Sequence, residues 1–206
     1  MSDQMECTFA RKHHVSEVQV RAWLALLLGV FTLLWLSTAQ AAGDEKNTYD
    51  ENSILQEAKA FFGDATEGLA GVVEKAFKEQ GRPTGFIRGD EVSAAVTVGL
   101  SYGKGELVLK NGTRAPVFWQ GPSVGFDLGL NASKVFVLVY NLSDKESLYQ
   151  RFPGVDGSLY WIAGVGMNYQ QSGDVVLAPI RLGVGWRAGA SVGYMHYTKK
   201  RHYFPL

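Results

Sequence analysis

The chain has 206 residues, with 20 basic and 20 acidic side chains and a formal net charge of zero. That balance excludes the surplus of one sign that nucleic-acid binding or a strongly acidic surface requires. The single cysteine, Cys7, precedes an apolar run, so everything after that run lacks a thiol for a disulfide or a thiolate metal site and must rest on a packed core.

Arg11, Lys12 and Arg21 lead into the apolar run Ala22 to Leu36, which is followed by Ser37-Thr38-Ala39-Gln40-Ala41. This is the order of a secretory signal. The run is shorter than the roughly twenty residues that cross a bilayer, and Ala39 and Ala41 are the small residues a signal peptidase accepts. A cleaved signal peptide is predicted over 1–41, with an uncleaved anchor as the alternative; both export the rest of the chain, and a cleaved chain does not span the membrane.

Residues 42–52 are polar and read as a flexible lead-in. A helical segment follows over 53–81. Ser53 with Gln56 and Asp64 with Glu67 are capping-box pairs. Ile54, Ala58, Phe61 and Phe62 mark one apolar face, and Leu69, Val72, Val73, Ala76 and Phe77 another, at helical spacing. Gly81 and Pro83 close the second helix. Acids and bases alternate on the polar faces, so both helices are expected to dock on the protein's own core rather than on a membrane.

From residue 82 to 206 the period changes to two. Val92 to Tyr102 alternates, Gly103-Lys104-Gly105 reads as a turn, Glu106 to Lys110 as a return strand, Asn111-Gly112 as a hairpin, and Pro116 to Trp119 as a further strand. Lys134 to Tyr140 is dense enough to be buried on both faces. Ser143 with Glu146 predicts one inserted helix carrying Leu148, Tyr149 and Phe152, closed by Pro153-Gly154. Tyr160 to Gln170, Asp174 to Arg187 and Gly189 to Thr198 then alternate, with a turn at Ser172-Gly173. Recurrent glycines mark bends or close approaches. The fold class expected is mainly β: a small antiparallel β-barrel of about ten strands, with two N-terminal helices and one inserted helix.

Gly121-Pro122-Ser123-Val124-Gly125 matches G-x-S-x-G literally. A nucleophile elbow needs a helix after the serine, and Val124 to Gly129 alternates and carries two glycines. Asp156 and Asp174 sit beside glycines and Asp127 two residues from them on either side, as turn residues do, and His196 and His202 lie in the last strand and the tail. No catalytic residue, metal site or cofactor is expected, and the ligand-binding residues are unknown at this level. Asn111, Asn131 and Asn141 match the glycosylation acceptor pattern, and Lys199-Lys200-Arg201 forms a basic tail that reads as solubilising.

"LSYGKGELVLKNG", "VFWQGPSVGFDLGLNASKVFVLVYNL", "LYQRFPGVDGSLYWIAGVGMNYQ" and "VVLAPIRLGVGWRAGASVGYMHYTKK" together resemble the alphaproteobacterial envelope integrity protein A family, over roughly Phe86 to Lys199. The resemblance implies a soluble periplasmic, non-enzymatic protein with a barrel of about ten strands that supports the cell envelope. It carries over no site residues. The implied partner is an envelope component, whether lipid, glycan or protein, and not nucleic acid. The glycine-rich barrel is also similar to the lipid-binding SYLF-type domain, a fold-level analogy that makes a lipid or hydrophobic ligand in the barrel interior the alternative function.

Overall fold

The computed structural model describes residues 45–63, 67–182 and 194–201, leaving the side chains of residues 45, 94–98 and 123–131 outside the description. The signal segment expected over 1–41, the N-cap expected at Asp64 and the stretch 183–193 lie outside the described residues.

Helix α1 spans Glu51–Phe62 and begins earlier than expected. Its N-cap is Asp50, whose Oδ1 accepts from the Ser53 backbone N–H at 2.9 Å while the Ser53 hydroxyl donates to Oδ2 at 2.6 Å. Ser53 is thus the third helical residue of an Asp-x-x-Ser pair rather than the cap, because the charged carboxylate of Asp50 takes both the free Ser53 amide and the Ser53 hydroxyl. The lead-in over 42–52 is correspondingly shorter: Tyr49 donates its N–H to Pro83 O at 2.8 Å, and its ring meets Phe86 edge-on. Helix α2 spans Glu67–Gln80, and Gly81, at φ +76°, donates back to Phe77 O at 2.9 Å.

The remaining elements are eight strands among the described residues: β1 (Gly85–Leu109), β2 (Arg114–Tyr140), β3 (Arg151–Pro153), β4 (Tyr160–Ile162), β5 (Val165–Met167), β6 (Gln170–Ser172), β7 (Val175–Leu182) and β8 (Tyr194–Thr198). They form one antiparallel sheet. Two long strands replace several of the short ones expected. Gly103-Lys104-Gly105 is not a turn but runs through β1, because glycine here permits close approach: a Cβ at Gly103 would lie 1.9 Å from the Trp119 ring, and one at Gly105 would lie 2.4 Å from Arg88 O. The hairpin at Asn111-Gly112 is present, with Gly112 at φ +88°.

Two further expectations are corrected. The inserted helix is a single 3-10 turn, Lys145–Leu148, with no side-chain cap, and Phe152 belongs to β3. Tyr160 to Gln170 is broken by Ala163 and Gly164, both at positive φ (+42° and +84°), into the hairpin β4–β5.

The sheet curls until its pairing returns to where it began. Near its start β2 pairs with β8, near its end with β7; β3 pairs with β8, a bridge joins Gly154 to Gln170, and β6 pairs with β7. The two halves of β1 also approach in antiparallel register: Thr84 O accepts from Lys110 N, Arg88 reaches Glu106, and the Ser93 and Ser101 hydroxyls meet at 2.7 Å.

Curling gives the sheet two faces and the protein two apolar cores. The run Val135–Tyr140 is buried at every position, as its composition predicts. Val135, Val137 and Val139 enter the inner core with Leu107, Val117, Phe152, Leu177 and Met195; Phe136, Leu138 and Tyr140 enter the outer core beneath the helices with Ile54, Ala58, Leu69, Val72 and Ile180. Each such aliphatic or aromatic side chain contributes roughly 1.5–3 kcal/mol on full burial, so helix docking and barrel closure are both driven by area. Tyr169 and Tyr160 add polar ties, donating to Glu79 of α2 at 2.8 and 3.2 Å.

Candidate functional site

Two polar assemblies stand out against these cores, one inside the curled sheet and one on its outer face. Inside, Glu91 of β1 and Arg181 of β7 form a buried ion pair. Glu91 Oε1 accepts from Arg181 Nε at 3.1 Å, and Oε2 accepts from Arg181 Nη2 at 3.2 Å and from Trp119 Nε1 at 2.8 Å. Arg181 Nη1 also donates to Asn168 Oδ1 at 3.4 Å, and nearby Tyr197 donates to Gln170 Oε1 at 3.2 Å. Alternation along β7 explains the placement. Val176, Ala178 and Ile180 face the helices, which sends Arg181 to the inner side with Val175 and Leu177.

Burial by itself would weaken the hold of the Arg181 guanidinium on its proton, but the charge and hydrogen bonds of Glu91 outweigh that and its pKa is raised. Burial likewise pushes the Tyr197 hydroxyl up. Both carboxylate oxygens of Glu91 are occupied by charged or indole donors, so this carboxylate is a structural acceptor rather than a free base.

Outside, a groove of about 580 Å³ runs between α1 and β1. Glu57, Ala60 and Phe61 wall it from the helix; Arg88, Gly89 and Asp90 come from the first half of β1, Lys104, Gly105 and Glu106 from the second, and Phe118 from β2. Lys104 pairs with Phe118 across β1 and β2. Arg88 lies 3.1 Å from Glu106 and 3.9 Å from Glu57, and Glu106 also takes Arg114 at 3.4 Å. Phe61 is held by Phe62 and Phe136, with ring centroids 5.2 and 6.2 Å away, and its carbonyl accepts from Lys134 Nζ at 2.8 Å. The carboxylate of Asp90 and the ammonium of Lys104 are exposed, and among the described residues neither has a side-chain partner.

The residues weighed for chemistry are not brought together. Ser123 lies in the extended backbone of β2, opposite Gly99, and no helix follows it. Gly121 is where β2 touches β8: a Cβ there would meet Tyr194 O at 2.4 Å. Asp127 is in β2, Asp156 in an exposed loop, and Asp174 beside the Gly173 turn, where its carbonyl accepts from Asn141 Nδ2 at 2.9 Å. His196 pairs with Arg151 and Gln120 in the sheet, and His202 is outside the described residues. Asn111 lies at the hairpin and Asn141 at φ +58°, both exposed; Asn131 is in β2. Among the described residues no three His, Cys, Asp or Glu side chains gather as metal ligands. Lys199 of the basic tail pairs with Glu146.

Reading the sequence missed both the Glu91–Arg181 pair and the groove. The one visible signal for the first was Arg181, which alternation along Asp174 to Arg187 puts on the same strand face as Gly183, Gly185 and Arg187.

The family model described as Envelope integrity protein A matches residues 47–206. No curated protein matches the chain. Among solved structures, the chain is similar to a crystal structure of a beta-barrel-like, uncharacterized protein from Brucella abortus, at 45% identity and a TM-score of 0.71, covering 78% of this chain and 99% of that one. The chain belongs to the envelope integrity protein A family.

Proposed function

We propose that this protein is a non-enzymatic periplasmic component that supports envelope integrity by binding an envelope constituent in the groove between α1 and β1. Family membership supports the envelope role. Export after cleavage near Ala41 is the reading of the N-terminal segment. The compact unit beginning at Asp44 and the family match beginning at residue 47 accord with it. Among the described residues no helix is long and apolar enough to cross a membrane.

The observation that carries the binding reading is the contrast between the two polar assemblies. Inside, Glu91, Arg181, Trp119 and Asn168 hydrogen-bond to one another and Leu107, Val117, Phe152 and Leu177 belong to the apolar cluster of that face, where Gln170 Nε2 is the buried polar atom left without a partner among the described residues. In the groove, Asp90 and Lys104 stand exposed beside two half-buried aromatic rings, and concave sites with a few convergent polar groups are where ligands bind. The apolar cluster of Leu107, Val117, Phe152 and Leu177 on the inner face supports this outer site over a ligand carried in the described part of the barrel interior.

Complementation tests the proposal. A deletion strain carrying Asp90→Ala with Lys104→Ala is expected to stay sensitive to detergent stress although the variant accumulates normally in an osmotic-shock fraction. Full rescue by that variant would refute binding at this groove, and recovery of the native protein only with detergent would refute the periplasmic reading.

A further inference from the structure

Resting on the binding reading just given, we infer that the groove takes an uncharged, polyhydroxylated ligand, a glycan chain, rather than a charged lipid headgroup or peptide. Charge in the groove is mixed. Glu57, Asp90 and Glu106 are interleaved with Arg88 and Lys104, and Arg114 on Glu106 and Lys134 over the Phe61 ring stand at the rim, so no large surplus of one sign builds up. A phosphate headgroup is held by an excess of Arg and Lys, and a cation by an excess of carboxylates. A sugar hydroxyl both donates and accepts, and is served by carboxylate acceptors interleaved with guanidinium and ammonium donors.

The guanidinium is partly oriented in advance. Arg88 donates to Glu106 at 3.1 Å with Glu57 3.9 Å away, which narrows the directions of its remaining N–H groups before a ligand arrives. Gly89 and Gly105 keep the floor bare for a reason of their own: a Cβ at Gly89 would lie 2.2 Å from Lys104 O, and one at Gly105 2.4 Å from Arg88 O. Two aromatic side chains complete the groove. Phe61, braced by Phe62 and Phe136, and Phe118, next to Lys104 in register, give the apolar C–H face of a sugar ring a surface to lie on while its hydroxyls reach the charged rows.

The test uses the compact unit Asp44–Leu206, which matches 99% of the similar Brucella abortus chain seen in a crystal structure. An array of bacterial surface oligosaccharides together with chitotetraose is probed, with phosphatidylglycerol vesicles and a tripeptide bearing both charges as the rival ligands. Saturable binding to at least one oligosaccharide is expected. It should weaken about tenfold in Phe118→Ala or Lys104→Ala and change little with added salt, because no net charge is neutralised. Lys104→Ala alters an exposed side chain and so keeps the test valid should Phe118→Ala fail to fold. Binding to no oligosaccharide, or salt-sensitive binding to the vesicles or the peptide alone, would overturn the inference. Those outcomes leave the groove reading standing if Asp90→Ala with Lys104→Ala still fails to complement, and remove both if it complements fully.

Discussion

Arg181 on β7 reaches over the intervening strand to Glu91 on β1: Glu91 is paired with Ser133 of β2 and Arg181 with Val135, two residues further along the same strand. The pair therefore ties three strands across the inner face, and Trp119 joins it from the other half of β2. Its distance in sequence, 90 residues, makes it a device of closure rather than of local structure.

Removing one partner would leave the other charged and buried. Arg181→Met or Glu91→Leu alone is expected to cost about 3–5 kcal/mol, and the double replacement to recover most of that, because a buried pair is worth little more than apolar side chains of the same volume. Urea unfolding of the two single variants and the double variant gives the coupling directly. Additive losses would show that the pair does not act as a unit.

Two glycines of α2 should respond in opposite directions. A Cβ at Gly68 would sit 1.9 Å from the Ile162 carbonyl oxygen, so Gly68→Ala must lift the helix from β4, at a cost of about 1–3 kcal/mol or more. At Gly71 the nearest atoms are Ile162 methyls at 3.6 Å, an ordinary contact, so Gly71→Ala should raise stability by about 0.5–1 kcal/mol through helix propensity. Thermal melts of both variants check the sign of each.

Acid should loosen the helices and alkali the cores. Side-chain and backbone hydrogen bonds from Ser53 hold the Asp50 carboxyl below its usual range, and hydrogen bonds from Lys75, Tyr169 and Tyr160 do the same for Glu79. Both contributions are present above the ordinary carboxylate pKa and are lost as pH falls through the lowered folded-state value. Burial raises the hydroxyls of Tyr140, Tyr169 and Tyr197 above the ordinary 10.0, so their contribution is intact below that value and is lost as pH rises beyond it. Melting temperature followed from neutral pH in both directions should fall at each extreme. Asp50→Ala should flatten the acid limb alone.

What was legible in the sequence was what short-range physics determines. Val135–Tyr140 shows two-sided burial in its unbroken β-branched and aromatic composition, and Asn111-Gly112 announces its hairpin because few other residues tolerate positive φ there. Glycine was ambiguous elsewhere: Gly103 and Gly105 look like a turn in one dimension and prove to be clearances for the Trp119 ring and the Arg88 carbonyl in three. Ala163 gave no turn signal because alanine seldom adopts φ +42°. The groove draws on α1, both halves of β1 and β2, so no segment of sequence contains it.

We propose that the protein supports the envelope by binding and not by hydrolysis, although Ser123 sits in a literal G-x-S-x-G. The most direct measurement is survival of a deletion strain under detergent stress when it carries Ser123→Ala at normal abundance. Rescue equal to the native protein is expected, since Ser123 is a residue of an extended strand opposite Gly99. Failure to rescue, with the variant folded and present at native levels, would contradict the account.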